Sequence, residues 1–212
     1  MKLSTLLPFA LAAATSAQTT SSYTDPKSSI TFQAFTDPTS GYTFGLALPM
    51  TPTTDFIGIL VGKGSGWVGA SLGGSMVNKL LIAAWPNGNQ LVSSFRKATS
   101  YANPPEATGA FSMTPIAKGT YINSTHFSYT FLCKACILAD GTTFTANATS
   151  GVLGWALSTA APSTKSSHSS ALNRHSAQGN FGVQLSAAMS NNYDQWAAMA
   201  AAPSPSARAF TA

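Results

Sequence analysis

Side chains able to do chemistry are few in this sequence. It holds three histidines, His126, His168 and His175, and two cysteines, Cys133 and Cys136. One methionine, Met76, stands apart because it follows Gly73-Gly74-Ser75 rather than a patterned strand. A loop methionine either plugs a gap in the core or offers its soft thioether as a ligand, and local pattern leaves both readings open. His126 shares the polar face of an alternating segment with Ser128 and Thr130, which suits a structural donor or a solvent residue. His168 sits among serines in a hydrophilic loop and is expected to face solvent. His175 lies in an irregular segment just before Gly179-Asn180-Phe181-Gly182. Cys133-Lys134-Ala135-Cys136 lacks the following histidine that covalent haem attachment needs, since Ile137 stands there. Two cysteines alone are too few for a zinc site. The pair does not open a helix, as a thioredoxin-like motif would. In an oxidising compartment it reads as a local disulfide at a strand end.

Short alternating segments must position these groups. Trp67–Leu72 and Leu80–Trp85 read as strands flanking the Met76 loop, and Pro86-Asn87-Gly88 is turn chemistry. Gly73 and Gly74 allow a positive φ or a close backbone approach. Further strands are expected at Ile30–Phe35, Tyr42–Leu48, Asp55–Val61, Leu91–Arg96, His126–Cys133, Gly151–Leu157 and Phe181–Leu185. A short helix is expected within Ala187–Ala202. Tyr101 falls in a long loop beside Pro104 and Pro105, where packing against the prolines is the plain reading. The pattern argues for an all-β, antiparallel sandwich with a short C-terminal helix. Loops from distant parts of such a chain can gather at one end, which would let Met76 and His175 face each other.

Composition narrows the function classes. Only 8% of the 212 residues are charged and 44% are apolar. Residues 1–17 carry one lysine, an apolar run and a small-residue end, the pattern of a secretory signal peptide. A flexible arm is expected at 18–29, the main domain at 30–202, and a tail or the start of a linker at 203–212. The formal charge of +5 falls to about +4 without Lys2. The basic residues are scattered, with no stripe interleaved with aromatics, so nucleic-acid binding is not expected. No later stretch is long and apolar enough for a membrane span. Asn123-Ser124-Thr125 and Asn147-Ala148-Thr149 are glycosylation sequons. No flavin-dehydrogenase region is expected, since no Gly-x-Gly-x-x-Gly opens a helix after a strand.

The wording of GWVGASLGGSMVNKLLIAAWPNGNQLVSSFRKATSY resembles the cytochrome domain of fungal cellobiose dehydrogenases and related secreted haem b proteins. Further similarity lies in Asn-Ser-Thr-His before the cysteine pair, in GVLGWAL, and in a histidine before a Phe-Gly strand. The resemblance runs from about Thr31 to Tyr193 and implies an immunoglobulin-like sandwich. It implies that Met76 and His175 are the axial ligands of haem b, that Tyr101 hydrogen-bonds a haem propionate, and that a close cysteine pair sits at Cys133 and Cys136. The wording departs at Arg-His-Ser-Ala-Gln-Gly-Asn-Phe-Gly, where the family usually has Glu-His-Thr-Asp-Phe-Gly-Phe-Phe-Gly. The function implied is a secreted, monomeric electron-transfer protein. Its donor would be a flavin-dependent sugar dehydrogenase, and its acceptor a copper polysaccharide monooxygenase, ferric iron or a quinone; ferric reduction would be its activity. A sandwich without haem that binds a carbohydrate or a protein is the alternative, because fold alone does not fix function.

Overall fold

The computed structural model describes residues 18–200. Turn residues divide this span into strands β1 (Ser21–Thr24), β2 (Thr31–Thr36), β3 (Thr43–Pro49), β4 (Phe56–Gly62), β5 (Trp67–Ser71), β6 (Leu81–Asn87), β7 (Gln90–Arg96), β8 (Ser112–Pro115), β9 (Tyr121–Ile122), β10 (Phe127–Lys134), β11 (Ser150–Ser158), β12 (Ala177–Gln184) and β13 (Met189–Ser190), followed by helix α1 (Tyr193–Ala198). One sheet runs β1-β2-β3-β4-β10-β8, with β9 on β10 and β13 on β3. The other runs β12-β11-β5-β6-β7. Pairing between β13 and β3 is parallel and the other strand pairs are antiparallel. The expected antiparallel sandwich with a short C-terminal helix therefore forms.

Alternation explains how each strand is used. Phe44, Leu46 and Leu48 of β3, Phe56 and Leu60 of β4, and Tyr129 and Phe131 of β10 point between the sheets. They meet Ala70, Ile82, Ala84, Leu153, Trp155, Phe181 and Val183 of the second sheet. Each Val, Leu, Ile or Phe among them contributes about 1.5–3 kcal/mol through burial. The intervening residues Ala47, Ile57 and Ile59 form a second cluster on the outer face, covered by Tyr193, Trp196 and Met199. This is why β3 and β4 lack a polar face.

The second sheet treats its outer face differently. Trp67, Ala83, Trp85 and Val92 form a small cluster there. Beside it the outward positions are Gly69 and Ser71 on β5, Gly154 and Ala156 on β11, and Gln178 and Asn180 on β12. Small side chains leave an open floor. From beneath, Tyr42 donates to the carbonyl of Gly69 at 2.9 Å and stacks on Trp155 at 5.1 Å. Burial pushes the Tyr42 phenol well above its ordinary value, so it is a donor at all ordinary pH.

The N-terminal segment differs from the loose arm expected at 18–29. β1 pairs with β2 from Ser21↔Ala34 to Thr24↔Thr31, and Thr19 bridges Gly182 of β12. Its Ser- and Thr-rich composition hides this, because backbone pairing needs no apolar side chains. Asp25-Pro26-Lys27-Ser28-Ser29 then makes a tight turn. The Asp25 carboxylate accepts from Ser28 N and Oγ, both at 2.6 Å. Asp37-Pro38-Thr39-Ser40-Gly41 repeats it, with Asp37 accepting from Ser40 N and Oγ. The last residue of each turn has positive φ, 60° at Ser29 and 72° at Gly41.

Two other expectations are refined. The helical tail shortens to α1, because Met189–Ser190 pairs with β3 instead. The polar face of β10 is not wet: Ser128 and Thr130 are buried beneath the segment that carries β9. The expected signal peptide and the residues beyond 200 lie outside the described residues.

Candidate functional site

Three segments rise around the open floor. The first, Gly73–Lys79, carries Met76. Gly74 has φ +86°, and its carbonyl lies where a side chain on Gly154 would stand, 2.4 Å from that Cβ. Ser71 Oγ donates to Ser75 O at 2.6 Å, and Asn78 N donates to Ala98 O at 2.7 Å. Gly74 thus supplies the positive φ, and Gly154 leaves room for the loop to fold tightly onto β11. The second segment is Tyr101–Pro104. The third is Leu172–His175, held by Trp67 Nε1 donating to Asn173 O at 3.0 Å and by Leu172 N donating to Asn103 Oδ1 at 2.9 Å.

Together they enclose a cavity of about 760 Å³, within the range of roughly 300–1,000 Å³ usual for cofactor pockets. Met76, His175 and Tyr101 all line it. The structure thus brings together three residues far apart in sequence. The cavity lies on the outer face of the second sheet rather than simply at an end of the sandwich. Tyr101 stands at its rim, 86% exposed.

The histidines separate cleanly. His126 lies between Tyr121 OH, 3.2 Å from Nε2, and Thr125 Oγ1, 2.8 Å from Nδ1, so both ring nitrogens are engaged. His168 pairs through Nδ1 with Glu106. Among the described residues no hydrogen bond engages the His175 ring, which leaves it available to a ligand. Cys133 and Cys136 are joined as a disulfide, buried at the end of β10.

Arg96 escapes a reading based on motifs. It is 1% exposed and lines the cavity. Its Nε donates to Ser94 Oγ at 2.8 Å and its Nη1 to Pro104 O at 3.0 Å. Its Nη2 donates to His168 O at 2.6 Å and Ser170 O at 2.7 Å. One guanidinium therefore ties the strand to the Tyr101 segment and to the chain just before the His175 segment. Burial lowers its pKa and the nearby Glu106 opposes that shift, but a guanidinium stays charged. The only sequence signal was an arginine at the end of an otherwise half-buried strand. Arg96 and Arg174 line the cavity, and among the described residues no carboxylate does, which suits an anionic ligand.

The family described as the cytochrome domain of cellobiose dehydrogenase matches residues 23–195. The chain belongs to this family. Among solved structures it is similar to the cytochrome domain of Myriococcum thermophilum cellobiose dehydrogenase, with 36% identity, TM-score 0.77, and coverage of 87% of this chain and 98% of that one. It is also similar to the cytochrome b domain of pyranose dehydrogenase from Coprinopsis cinerea, with 28% identity, TM-score 0.78, and coverage of 85% and 95%. A curated relative, the pyrroloquinoline quinone-dependent pyranose dehydrogenase of Coprinopsis cinerea, is 37% identical over 145 residues, 67% of this chain. The chain spans 20% of the length of that relative. Cellobiose dehydrogenase cytochrome domains are electron-transfer modules that bind haem b, as the resemblance implied.

The residues present fit that group. Over β5 and β11 the floor is built of small side chains, one wall offers a thioether, another offers an unengaged imidazole, and the lining charges are positive. These are the needs of a planar iron cofactor that carries two carboxylates.

Proposed function

We propose that this chain is a secreted haem b electron-transfer domain in which Met76 and His175 hold the iron and Tyr101 binds a propionate at the rim. One observation carries the reading: Met76 and the histidine whose ring is unengaged line the same cavity, with no carboxylate beside them among the described residues. When bound, haem b supplies a one-electron carrier. Held by Met76 and His175, that carrier would serve electron transfer rather than dioxygen chemistry, and the thioether would favour the ferrous state over what two nitrogen donors give. The chain's own part is to hold the two donors, exclude water from the floor and neutralise carboxylates with Arg96 and Arg174.

The donor is proposed to be a sugar dehydrogenase, using either flavin or the pyrroloquinoline quinone named for the curated relative. A copper polysaccharide monooxygenase, ferric iron or a quinone is the proposed acceptor. Among the described residues no helix is long and apolar enough to cross a membrane. Exposed Asn123 and Asn147 are proposed to carry glycans.

The test is a visible spectrum of protein reconstituted with haem b, before and after dithionite. Sharp low-spin bands on reduction are expected. Met76→Ala should turn the reduced form high-spin, His175→Ala should lose haem, and His168→Ala should change neither. A protein that stays colourless with haem supplied would refute the reading and favour the haem-free binding module.

A further inference from the structure

Asn180, Gly154 and Ser71 are direct cross-strand neighbours on β12, β11 and β5, on the face that floors the cavity. The row has a polar side chain at each end and a gap in the middle. The Met76 loop folds back over this row and seats the Gly74 carbonyl in the gap. In the orientation its surroundings require, the Asn180 amide nitrogen donates to Gly74 O at 2.7 Å and to Gly179 O at 3.2 Å. Ser71 holds the next turn of the loop through Ser75 O, and Ser75 Oγ donates to Val77 O at 3.0 Å. Met76 is therefore flanked by hydrogen bonds and has little freedom to change its height above the floor. Asn180 also lies five residues after His175, on the strand that this histidine leads into.

We infer that Asn180 is a positioning residue for Met76: it clamps the Gly74 carbonyl to β12 and so sets the separation between the Met76 loop and the segment carrying His175. This rests on the reading that these two side chains hold haem. A short bridge of this kind matters because a soft thioether–iron bond is weak enough for loop freedom to compete with it. Without the clamp the carbonyl loses its donor, the loop lifts, and exogenous ligands displace the thioether more easily.

Asn180→Leu removes the donor. Asn180→Asp replaces it with a carboxylate that faces a carbonyl, and this variant regains a donor when the carboxyl is protonated, below about pH 4. Asn180 is exposed, so neither change threatens the fold, and reversal with pH on one sample shows that the fold is intact. The first measurement is NMR of haem-free protein labelled at the methionine methyls, with Met76 assigned by Met76→Leu. Both variants should shift the Met76 methyl toward its free-chain position and narrow it, and acid should reverse this in Asn180→Asp alone. The second is imidazole titration of the haem-loaded ferric protein. Half-replacement of the thioether should need about five- to tenfold less imidazole in the variants, the equilibrium weight of one hydrogen bond. An unmoved methyl resonance would overturn the inference, as would a moved resonance with unchanged imidazole affinity. If wild-type protein takes up no haem while the methyl responds as expected, the clamp stands and the haem reading fails.

Discussion

Replacing Arg96 by leucine should cost about 3 kcal/mol of stability and loosen the cavity with it. The side chain is buried and donates to four acceptors. The bond to Ser170 O is buried, and losing it leaves a carbonyl without a partner, at about 1–3 kcal/mol. Bonds to Pro104 O and His168 O are partly exposed, so water can replace the guanidinium and each loss is nearer 1 kcal/mol. Burying leucine returns about 1–2 kcal/mol. Against a typical total of 5–15 kcal/mol, a net loss of about 3 is large. Urea unfolding followed by tryptophan fluorescence reads the stability. Haem titration reads the site, because Arg96 holds the Tyr101 segment and the residues that lead into the His175 segment. Arg96→Lys should fall between the two, since one ammonium cannot reach Pro104 O together with the carbonyls of His168 and Ser170. A stability loss below about 1 kcal/mol would refute the account of the hydrogen bonds. A full loss of stability with unchanged haem affinity would refute the claim that Arg96 positions the cavity walls.

Ser29→Gly should stabilise the protein by about 0.5–1 kcal/mol, because Ser29 holds φ 60° where the twin turn has Gly41 and a non-glycine residue pays about 1–2 kcal/mol there, less the added chain entropy of glycine; a lower urea midpoint would contradict it. Gly66→Ala should destabilise by more than about 3 kcal/mol, since the added Cβ would lie 1.7 Å from Ser158 O and push β5 from β11; thermal melting tests this. Burial raises the Tyr129 phenol to about 12 from 10.0, so the folded state keeps its proton longer than the unfolded chain. Its contribution is complete below pH 10 and is lost as pH rises through 12, on the order of 2–3 kcal/mol. Tyr129→Phe should flatten that part of the alkaline unfolding curve, and an unchanged slope would contradict the assignment. Thiol titration of denatured, unreduced protein should find no free thiol at Cys133 or Cys136.

The strands that build the sandwich were legible because alternation reports burial locally. Phe44, Leu46 and Leu48 alternate with smaller residues, and the turn residues around them mark the ends without reference to any other part of the chain. The Met76 loop was legible for a similar reason: two glycines and a methionine between two strands form an irregular patch that the flanking pattern exposes. β1 was not legible, since its serines and threonines pair through backbone groups that every residue carries. Arg96 was hidden because its role depends on carbonyls of residues 104, 168 and 170, none of which is marked by side-chain type. Among the three histidines the resemblance already pointed to His175, and tertiary structure adds what engages the other two. His126 and His168 differ from His175 in what stands next to their rings, and Tyr121 and Glu106 reach them only through folding. The floor of the cavity makes the same point. Gly69, Ser71, Gly154 and Ala156 are unremarked small residues in sequence, and they become a surface only when β5 and β11 lie side by side in register. Sequence by itself determined which side chains could serve as donors. Pairing of distant strands decided which of them share one space.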